Sequence, residues 1–329
     1  MKTKKYDVCG IGNALLDFIV ELDDKSLEEI GLKKGEMQFI SKEKSKEILS
    51  KIDNSKLKIV PGGSSANAMA GVAFLGGKSV FLGKVGKDEH GELYEQKTKE
   101  DGVDTMLAKH DGEGTGHAIT FVTPDSERTF AVYMGAAMHL SKEDISEEAI
   151  KESKILHIEG YQLDDVRLRE AALHAMEIAN KNDVKVSIDL ADSGVVSRNL
   201  EFLKQIVKKN ADIVFANEAE ARAFTGKNPG YSLHDIYEMC GDVAVVKLGE
   251  KGSMVKINYK VYDFNAYRVN AVDTTGAGDM YAAALLYGIT HGLPIEKIGK
   301  LASYTSALVV ANKGARLDKS FKEKIKIIR

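Results

Sequence analysis

The segment from Asp273 to Asp279, Asp-Thr-Thr-Gly-Ala-Gly-Asp, carries the clearest chemical pattern in this 329-residue chain. Gly276, Ala277 and Gly278 stand where a loop becomes a helix, so unpaired backbone N–H groups and the helix dipole can bind an anion there. An acid beside an anion repels it, so Asp279 is better suited to take a proton from a hydroxyl nucleophile. An anion site beside a base is the minimum equipment for phosphoryl transfer to an alcohol. Alternatively, Asp279 only complements the helix dipole.

The composition excludes several classes of function. A net charge of −3 gives no global attraction to nucleic acid or to acidic membrane surfaces. The two cysteines, Cys9 and Cys240, lie far apart, which predicts a reducing compartment. The lysine-rich N-terminus does not resemble a signal peptide and no stretch is long enough to span a bilayer, so we expect a cytoplasmic protein. The eight histidines form no close pair at metal-ligand spacing, which argues against zinc catalysis.

Runs rich in Val and Ile alternate with longer amphipathic segments along the chain. This alternation predicts one α/β domain over residues 1–329, a three-layer, doubly wound and mostly parallel sheet. The predicted strands are Val8–Ile11, Ser79–Gly83, Ile155–Ile158, Val184–Ile188, Ile213–Ala216, Val243–Lys247 and Ser253–Ile257. The predicted helices are Ser64–Leu75, Gly91–Asp101, Leu163–Asn180, Leu200–Lys208, Ala219–Thr225, Met280–His291 and Ile295–Ala311.

Two stretches, roughly residues 14–45 and 106–136, interrupt this rhythm. Both contain short alternating segments and Gly or Pro-Asp turns, such as His117–Thr123 and Arg128–Met134. We expect the two stretches to pair in space as one small β lid, inserted into the domain.

Several polar residues near the front of the chain can bind a substrate. Asn13 and Asp17 follow the first strand and can hold two hydroxyls of a sugar ring, although a turn with a solvent-facing acid explains them as well. Gly63 offers bare backbone at the start of a small-residue helix, and Asn67 can donate and accept hydrogen bonds in its first turn. Tight packing of that helix is the alternative. Arg128 can swing onto a transferred phosphate, or can be a solvated hairpin arginine.

Two further motifs fit a nucleotide and its metal ion. Asn217 and Glu220 have capping-box spacing at a helix start, and the same groups can hold the water shell of Mg²⁺. Lys247, Gly249 and Gly252 follow a strand and can admit a nucleotide to the backbone, while a plain hairpin explains the spacing equally well.

Two common nucleotide-binding loops are excluded. The window from Gly71 to Ser79 fails the glycine spacing of a Walker loop, and its Lys-Ser pair leads into a strand instead of a helix. Gly10-Ile11-Gly12 follows a strand, but Leu15 stands where a dinucleotide fold needs its third glycine.

Taken in order, these motifs resemble the ribokinase-like (PfkB) carbohydrate kinase family over nearly the whole chain. The resemblance implies a ribokinase-like fold, Asp279 as catalytic base and Gly276–Gly278 as the anion hole. It also implies that Asn217 and Glu220 organise Mg²⁺ through water. Lys247–Gly252 and Asn312 would line the ATP site. Asp273 and Thr275 look like part of the loop that binds a monovalent cation such as K⁺ in many members.

Within the family, the spacing of Asn13 and Asp17 is similar to the opening of adenosine kinases, where such residues meet the nucleoside. This similarity implies adenosine or a related nucleoside as acceptor, phosphorylated on its 5′-hydroxyl. Phe18, Phe121 and Tyr133 are candidates for stacking on a base. A ribokinase, fructokinase or 2-keto-3-deoxygluconate kinase is the nearer alternative, and a catalytically idle nucleoside-binding module the farther one. We expect a monomer or homodimer.

Overall fold

A computed structural model describes residues 4–53, 57–125 and 127–325, and within those ranges it contains two β-sheets and thirteen α-helices. The strands are β1 Tyr6–Ile11, β2 Leu15–Glu21, β3 Met37–Phe39, β4 Lys58–Pro61, β5 Ser79–Gly86, β6 Asp104–His110, β7 Gly116–Val122, β8 Arg128–Tyr133, β9 Ser153–Glu159, β10 Lys185–Asp189, β11 Ile213–Asn217, β12 Val243–Lys247, β13 Ser253–Ile257 and β14 Lys260–Phe264. The helices are α1 Asp24–Ile30, α2 Lys42–Lys51, α3 Ser64–Phe74, α4 Glu89–Glu100, α5 Glu147–Lys151, α6 Val166–Lys181, α7 Ser193–Arg198, α8 Leu200–Asn210, α9 Glu218–Thr225, α10 Pro229–Cys240, α11 Ala277–Thr290, α12 Ile295–Val310 and α13 Lys322–Ile325. None of the helices in these ranges is long and apolar enough to cross a membrane.

The larger sheet has the order β14-β13-β12-β11-β10-β9-β1-β5-β6. The seven strands from β12 to β6 run parallel, and β13 and β14 form an antiparallel edge. Successive side chains of a strand point to opposite faces, so Val8 joins the apolar core on one side of β1 and Cys9 the core on the other. Helices cover both cores, which confirms the predicted doubly wound α/β fold.

Helices α3 and α11 pack closely on one face of this sheet because small residues line their contact. A Cβ atom added to Gly71 would lie 2.5 Å from the Cβ of Ala283, so any larger residue at position 71 would push the helices apart. The close contact brings the first turns of the two helices together, and side chains from both turns form hydrogen bonds with each other.

The smaller sheet has the order β3-β8-β7-β2-β4. Its apolar side contains Phe18, whose ring stacks on His117 at 4.7 Å between centroids, while the His117 Nε2 atom lies 2.6 Å from Ser45 Oγ. The predicted start of the second lid stretch, at residue 106, is wrong. Asp104–His110 pairs with β5 as the parallel edge strand of the larger sheet. The chain returns to that sheet after α4, as a strand-helix-strand crossover requires. Lys58–Pro61, outside both predicted stretches, joins the smaller sheet beside β2.

Candidate functional site

Polar side chains collect where the parallel strands of the larger sheet end. Glu159, Asp189, Asn217 and Lys247 are the last residues of β9, β10, β11 and β12, which are neighbours in the sheet. Asn13 follows β1 by two residues at the same edge. Because the carboxyl ends of parallel strands meet at one edge, these five residues lie together where open α/β sheets bind ligands, and we call this edge the cleft.

Asp279 lies in the first turn of α11 and faces α3. Its Oδ1 accepts a hydrogen bond from Ser64 Oγ at 2.6 Å, and its Oδ2 accepts one from Asn67 Nδ2 at 2.9 Å. Burial raises the pKa of Asp279 above its ordinary value, and these two hydrogen bonds oppose the shift. A carboxylate with a raised pKa, held in place by two donors, suits proton transfer.

The turn before Asp279 needs glycine. Gly276 has φ +79°, and a Cβ atom there would lie 2.5 Å from the backbone oxygen of Ala315. Only glycine adopts this conformation at this contact without strain. At the start of the 14-residue helix α11, the Ala277 N–H donates to the Thr274 oxygen at 3.3 Å, and the neighbouring N–H groups of the turn can bind an anion.

Lys247 places a cation beside that turn. Its Nζ donates to Asp189 Oδ2 at 2.8 Å and lies 3.2 Å from the point where a Cβ atom of Gly278 would stand. Burial alone would lower the pKa of Lys247, but Asp189 and Glu220 outweigh it and hold the pKa above its ordinary value. The ammonium group is therefore charged, and it adds to the attraction of the turn for an anion.

Asn217 and Glu220 form the predicted capping box at the start of α9. Glu220 N–H donates to Asn217 Oδ1 at 2.8 Å, and Asn217 N–H donates to Glu220 Oε2 at 2.7 Å. Burial and the nearby Asp189 raise the pKa of Glu220, while Lys247 opposes the shift. No group of three or more acidic, histidine or cysteine side chains within the described ranges can cage a metal ion. Mg²⁺ prefers one or two carboxylates and keeps several waters. Both Glu220 carboxylate oxygens accept hydrogen bonds from Asn217, so this pair fits the ion only through its water shell, and that contact stays a prediction.

The predicted nucleotide-contact residues Gly249, Gly252 and Asn312 each have a local structural role. Gly252 has φ +102°, and a Cβ atom there would lie 1.9 Å from the Phe264 oxygen, so the turn between β12 and β13 requires glycine. Gly249 has φ +60° and opens the same turn. Asn312 Nδ2 donates to the Leu308 oxygen at 2.6 Å and caps the end of α12. Contact with a nucleotide stays a prediction for all three.

The smaller sheet brings Asp17 to the opposite side of the cleft. Asp17 Oδ2 lies 2.4 Å from the point where a Cβ atom of Gly62 would stand, so the carboxylate rests on bare backbone. Gly63 has φ +90°, and its Cβ would lie 2.1 Å from the Asn13 oxygen. Burial raises the pKa of Asp17 to about 6, against the opposing charges of Arg316 and Arg128.

Arg128 also reaches the cleft from the smaller sheet, but its partners differ from the prediction. Its Nη2 lies 2.6 Å from Asp273 Oδ2, and its Nη1 donates to Thr275 Oγ1 at 3.2 Å. The buried Asp273 carboxylate also accepts the N–H groups of Thr275 and Gly314, at 3.0 and 2.7 Å. The side chains predicted to bind a monovalent cation are thus engaged by a guanidinium and two amides, and in this arrangement they do not fit that role.

Sequence reasoning missed Ser64, Glu159, Asp189 and Arg316. Glu159 is buried; its Oε1 accepts the Asn13 N–H at 2.8 Å and its Oε2 the Ser65 N–H at 2.9 Å, and burial raises its pKa to about 7. A signal for Glu159 and Asp189 existed, since each is an acid closing a Val/Ile-rich parallel strand. Arg316 lies in an irregular segment after α12, where no local pattern marks it.

The three aromatic residues considered for base stacking are buried in the protein. Phe18 and Phe121 are 1% and 0% exposed. Tyr133 is buried and donates its hydroxyl to Glu113 Oε2 at 2.6 Å. None of the three therefore offers a ring face to a ligand in this structure.

The fold and this cleft are typical of an ATP-dependent kinase with an alcohol acceptor. The pfkB family carbohydrate kinase model matches residues 24–321. The chain therefore belongs to the pfkB family of carbohydrate kinases and is an ATP-dependent phosphotransferase, which confirms the predicted family and class of enzyme.

Relatives within the family carry two kinds of name. The 5-dehydro-2-deoxygluconokinase of Bacillus subtilis is 30% identical over 94% of this chain and 91% of its own, and that of Listeria monocytogenes is 32% identical over 76% and 80%. Among solved structures, an adenosine kinase from Sinorhizobium meliloti is 34% identical with a TM-score of 0.89, covering 99% of this chain and 100% of its own. A probable sugar kinase from Rhizobium etli is 32% identical with the same TM-score and covers 98% of both chains. The coarser description, a sugar kinase of the pfkB family, fits these findings better than the predicted adenosine kinase.

Proposed function

We propose that the protein transfers the γ-phosphoryl group of ATP to the primary hydroxyl of a free sugar or sugar acid, with 5-dehydro-2-deoxygluconate as the first acceptor to test. The observation that carries the proposal is the burial of Phe18, Phe121 and Tyr133, which leaves the three candidate stacking rings unavailable to a nucleobase. Polar groups at the cleft suit a hydroxyl-rich acceptor instead. The name shared by the Bacillus and Listeria relatives supports this choice.

On the acceptor side, we propose that Asp17 accepts hydrogen bonds from sugar hydroxyls. The backbone of Gly63 and the side chains of Asn13 and Asn67 complete the pocket. Asp279 takes the proton of the primary hydroxyl, and the oxygen thereby becomes nucleophilic toward the phosphoryl group. The hydrogen bonds from Ser64 and Asn67 hold the Asp279 carboxylate in one orientation for this step.

On the phosphate side, the N–H groups of Gly276 and Gly278 and the Lys247 ammonium are proposed to stabilise the charge of the phosphoryl group. The Ala277 N–H would join them by exchanging its 3.3 Å bond to the Thr274 oxygen for one to phosphate. Arg128 lies within reach of the same turn through Thr275, and it can transfer from Asp273 to phosphate. Asn217 and Glu220 would hold the water shell of Mg²⁺, which when bound neutralises phosphate charge. Gly249, Gly252 and Asn312 would line the nucleotide.

ADP release by the purified protein tests the proposal. The assay supplies Mg-ATP with 5-dehydro-2-deoxygluconate, 2-keto-3-deoxygluconate, ribose, fructose, adenosine or inosine, and Asp279→Asn is the matched control. We expect turnover with at least one sugar acid or free sugar and none with the nucleosides. Turnover confined to nucleosides would overturn the acceptor and keep the kinase chemistry.

Adenosine is the second candidate acceptor. The Sinorhizobium structure named an adenosine kinase covers 99% of this chain at 34% identity, and the spacing of Asn13 and Asp17 favours a ribose. Adenosine would have to bind without a stacked ring from Phe18, Phe121 or Tyr133. A competition experiment, with adenosine added to the sugar reaction, separates a second substrate from an inhibitor.

A further inference from the structure

A chain of hydrogen bonds leads from the surface to Asp279 through Arg316. Arg316 Nη1 lies 2.7 Å from Asp101 Oδ2, and Arg316 Nε donates to Asn67 Oδ1 at 2.8 Å. The Asn67 amide then donates from Nδ2 to Asp279 Oδ2 at 2.9 Å. The remaining nitrogen, Nη2, donates to the Gly62 oxygen at 3.4 Å, so each guanidinium nitrogen has a partner within the protein.

This arrangement fixes which way the Asn67 amide points. An amide carries an acceptor at one end and donors at the other, and an acceptor turned toward a carboxylate would repel it. Because Arg316 can only donate, it selects the orientation in which Asn67 presents its oxygen to Arg316 and its NH₂ group to Asp279. The Arg316 side chain is 12% exposed, so solvent contributes little competition for these bonds.

A cavity lies on the outer side of this chain. Its volume is about 510 Å³, and Arg316 and Asn67 line it together with Ala70, Phe74 and Leu317. The cavity is large enough to admit a small cation to the position of the guanidinium, which makes the role of Arg316 open to chemical rescue.

We propose that Arg316 is a positioning residue for phosphoryl transfer: it orients the Asn67 amide so that Asn67 donates to the Asp279 carboxylate. The role rests on the proposed function of Asp279 as the base. Arg316 itself touches neither the acceptor hydroxyl nor the phosphoryl group. Its loss leaves Asn67 oriented by Asp279 alone, so the amide gains freedom to rotate and its hydrogen bond to the Asp279 carboxylate is held less firmly.

Arg316→Ala is the primary test, measured as kcat at saturating acceptor across pH. We expect kcat to fall on the order of 10²-fold, as for other small misplacements of reacting groups. The acidic limb of the kcat profile should move upward, because a carboxylate that loses a donor binds its proton more tightly. The other titratable groups near Asp279 are Asp17, Glu159, Tyr161, Asp189 and Lys247, and saturation with acceptor removes the effect of Asp17 on binding.

Two further measurements separate positioning from a general loss of structure. The double variant Arg316→Ala with Asn67→Ala should be no slower than Asn67→Ala alone, because Arg316 acts through Asn67. Added guanidinium ion should restore part of the kcat of Arg316→Ala and none of that of Asn67→Ala. If the alanine variant folds poorly, Arg316→Lys replaces it in the same measurements. Lysine retains the charge but lacks the planar guanidinium that bridges Asn67 and Asp101, so kcat should fall here too. Arg167→Ala, at an exposed arginine paired with Asp165, is the control and should behave as the wild type.

Three results would overturn the proposal. One is a kcat profile of Arg316→Ala whose acidic limb lies at the wild-type pH. Another is a double variant in which the losses of kcat from Arg316→Ala and Asn67→Ala multiply. The third is a rise in the Michaelis constant of the acceptor with unchanged kcat, which would make Arg316 a direct acceptor contact. If the wild-type protein released ADP with none of the acceptors tested, the proposed function would be refuted first, and the role of Arg316 with it.

Discussion

The nucleotide end and the acceptor end of the cleft are built in different ways. At the nucleotide end, most contacts are between neighbours in sequence: Asn217 and Glu220 cap one helix turn, and Gly276 to Asp279 form one loop and helix start. The exception is Lys247, whose partner Asp189 lies 58 positions away. At the acceptor end, Asn67 contacts Asp279, 212 positions away, and Arg316, 249 positions away. The first end is mainly a set of local motifs, whereas the second exists only once the fold has assembled.

This difference determines where a substitution is felt. A change in a local motif alters one contact, while a change in the acceptor-end network shifts several residues that share hydrogen bonds. Asp279 belongs to both ends. Variants at either end should therefore reduce turnover, but they should affect the Michaelis constants of ATP and acceptor separately.

Of four changes that test this comparison, Lys247→Met should reduce turnover most. It removes the ammonium beside Gly278 and leaves Asp189 and Glu220 without their cation, so kcat should fall on the order of 10²–10³-fold. Steady-state rates at saturating ATP and acceptor measure it, with Lys181→Met, at an exposed lysine paired with Glu177, as control. A Lys247→Met enzyme with wild-type kcat would remove Lys247 from the phosphate site.

Asp17→Asn should act on the acceptor alone. Loss of a charged hydrogen-bond acceptor should raise the acceptor's Michaelis constant on the order of 10–10²-fold and leave that of ATP unchanged. Because burial raises the pKa of Asp17 to about 6, the wild-type carboxylate is ionised above that pH and protonated below it. The wild-type constant should therefore rise as the pH falls below about 6, and the Asn variant should lose this dependence. Equal effects on both substrates would contradict the division into two ends.

Asn312→Ala should have a smaller effect at the nucleotide end. Its Nδ2 bond to the Leu308 oxygen caps α12, and losing it should lower the free energy of unfolding by about 0.5–1.5 kcal/mol. The Michaelis constant of ATP should rise while that of the acceptor stays constant. Thermal unfolding and initial rates check the two parts separately, and a rise confined to the acceptor would place Asn312 at the wrong end.

Replacing K⁺ with a large organic cation should have the smallest effect. The side chains of Asp273 and Thr275 contact Arg128, so we expect no change in rate between potassium and choline chloride at equal ionic strength. Activation by K⁺ would show that Arg128 leaves Asp273 during the reaction. The variant Arg128→Met should then acquire an even stronger dependence on K⁺.

Much of the large sheet could be predicted because each buried strand is a short Val/Ile run. Val243–Lys247 and Ser253–Ile257 were predicted with their observed bounds. Edge strand β4 was missed, and most of β6 was assigned to the lid instead of the large sheet, because half of an edge strand faces solvent. Lys58–Pro61 and Asp104–His110 mix polar and apolar residues without a buried run. Helix α10 was missed as well, although Asn228 and Pro229 are typical of a helix start.

The site residues also divide into those with a local sequence signature and those without one. Asp279, Gly276 and the Asn217–Glu220 pair could be predicted because helix starts and glycine turns have local signatures. Ser64 and Arg316 could not, because each acts through a partner more than 200 positions away. The contact between Arg128 and Asp273 was also invisible in the sequence, since it depends on how the small sheet is placed over the large one.

Turnover by Asp279→Asn tests the central claim, that both ends meet at this carboxylate, most directly. ADP release is measured at saturating Mg-ATP and acceptor, with thermal unfolding as the check on the fold. The account predicts a fall in kcat on the order of 10²–10⁴-fold, with an unfolding midpoint close to that of the wild type. A correctly folded Asp279→Asn enzyme with near-normal kcat would contradict it, because the proton of the hydroxyl would then leave through another group.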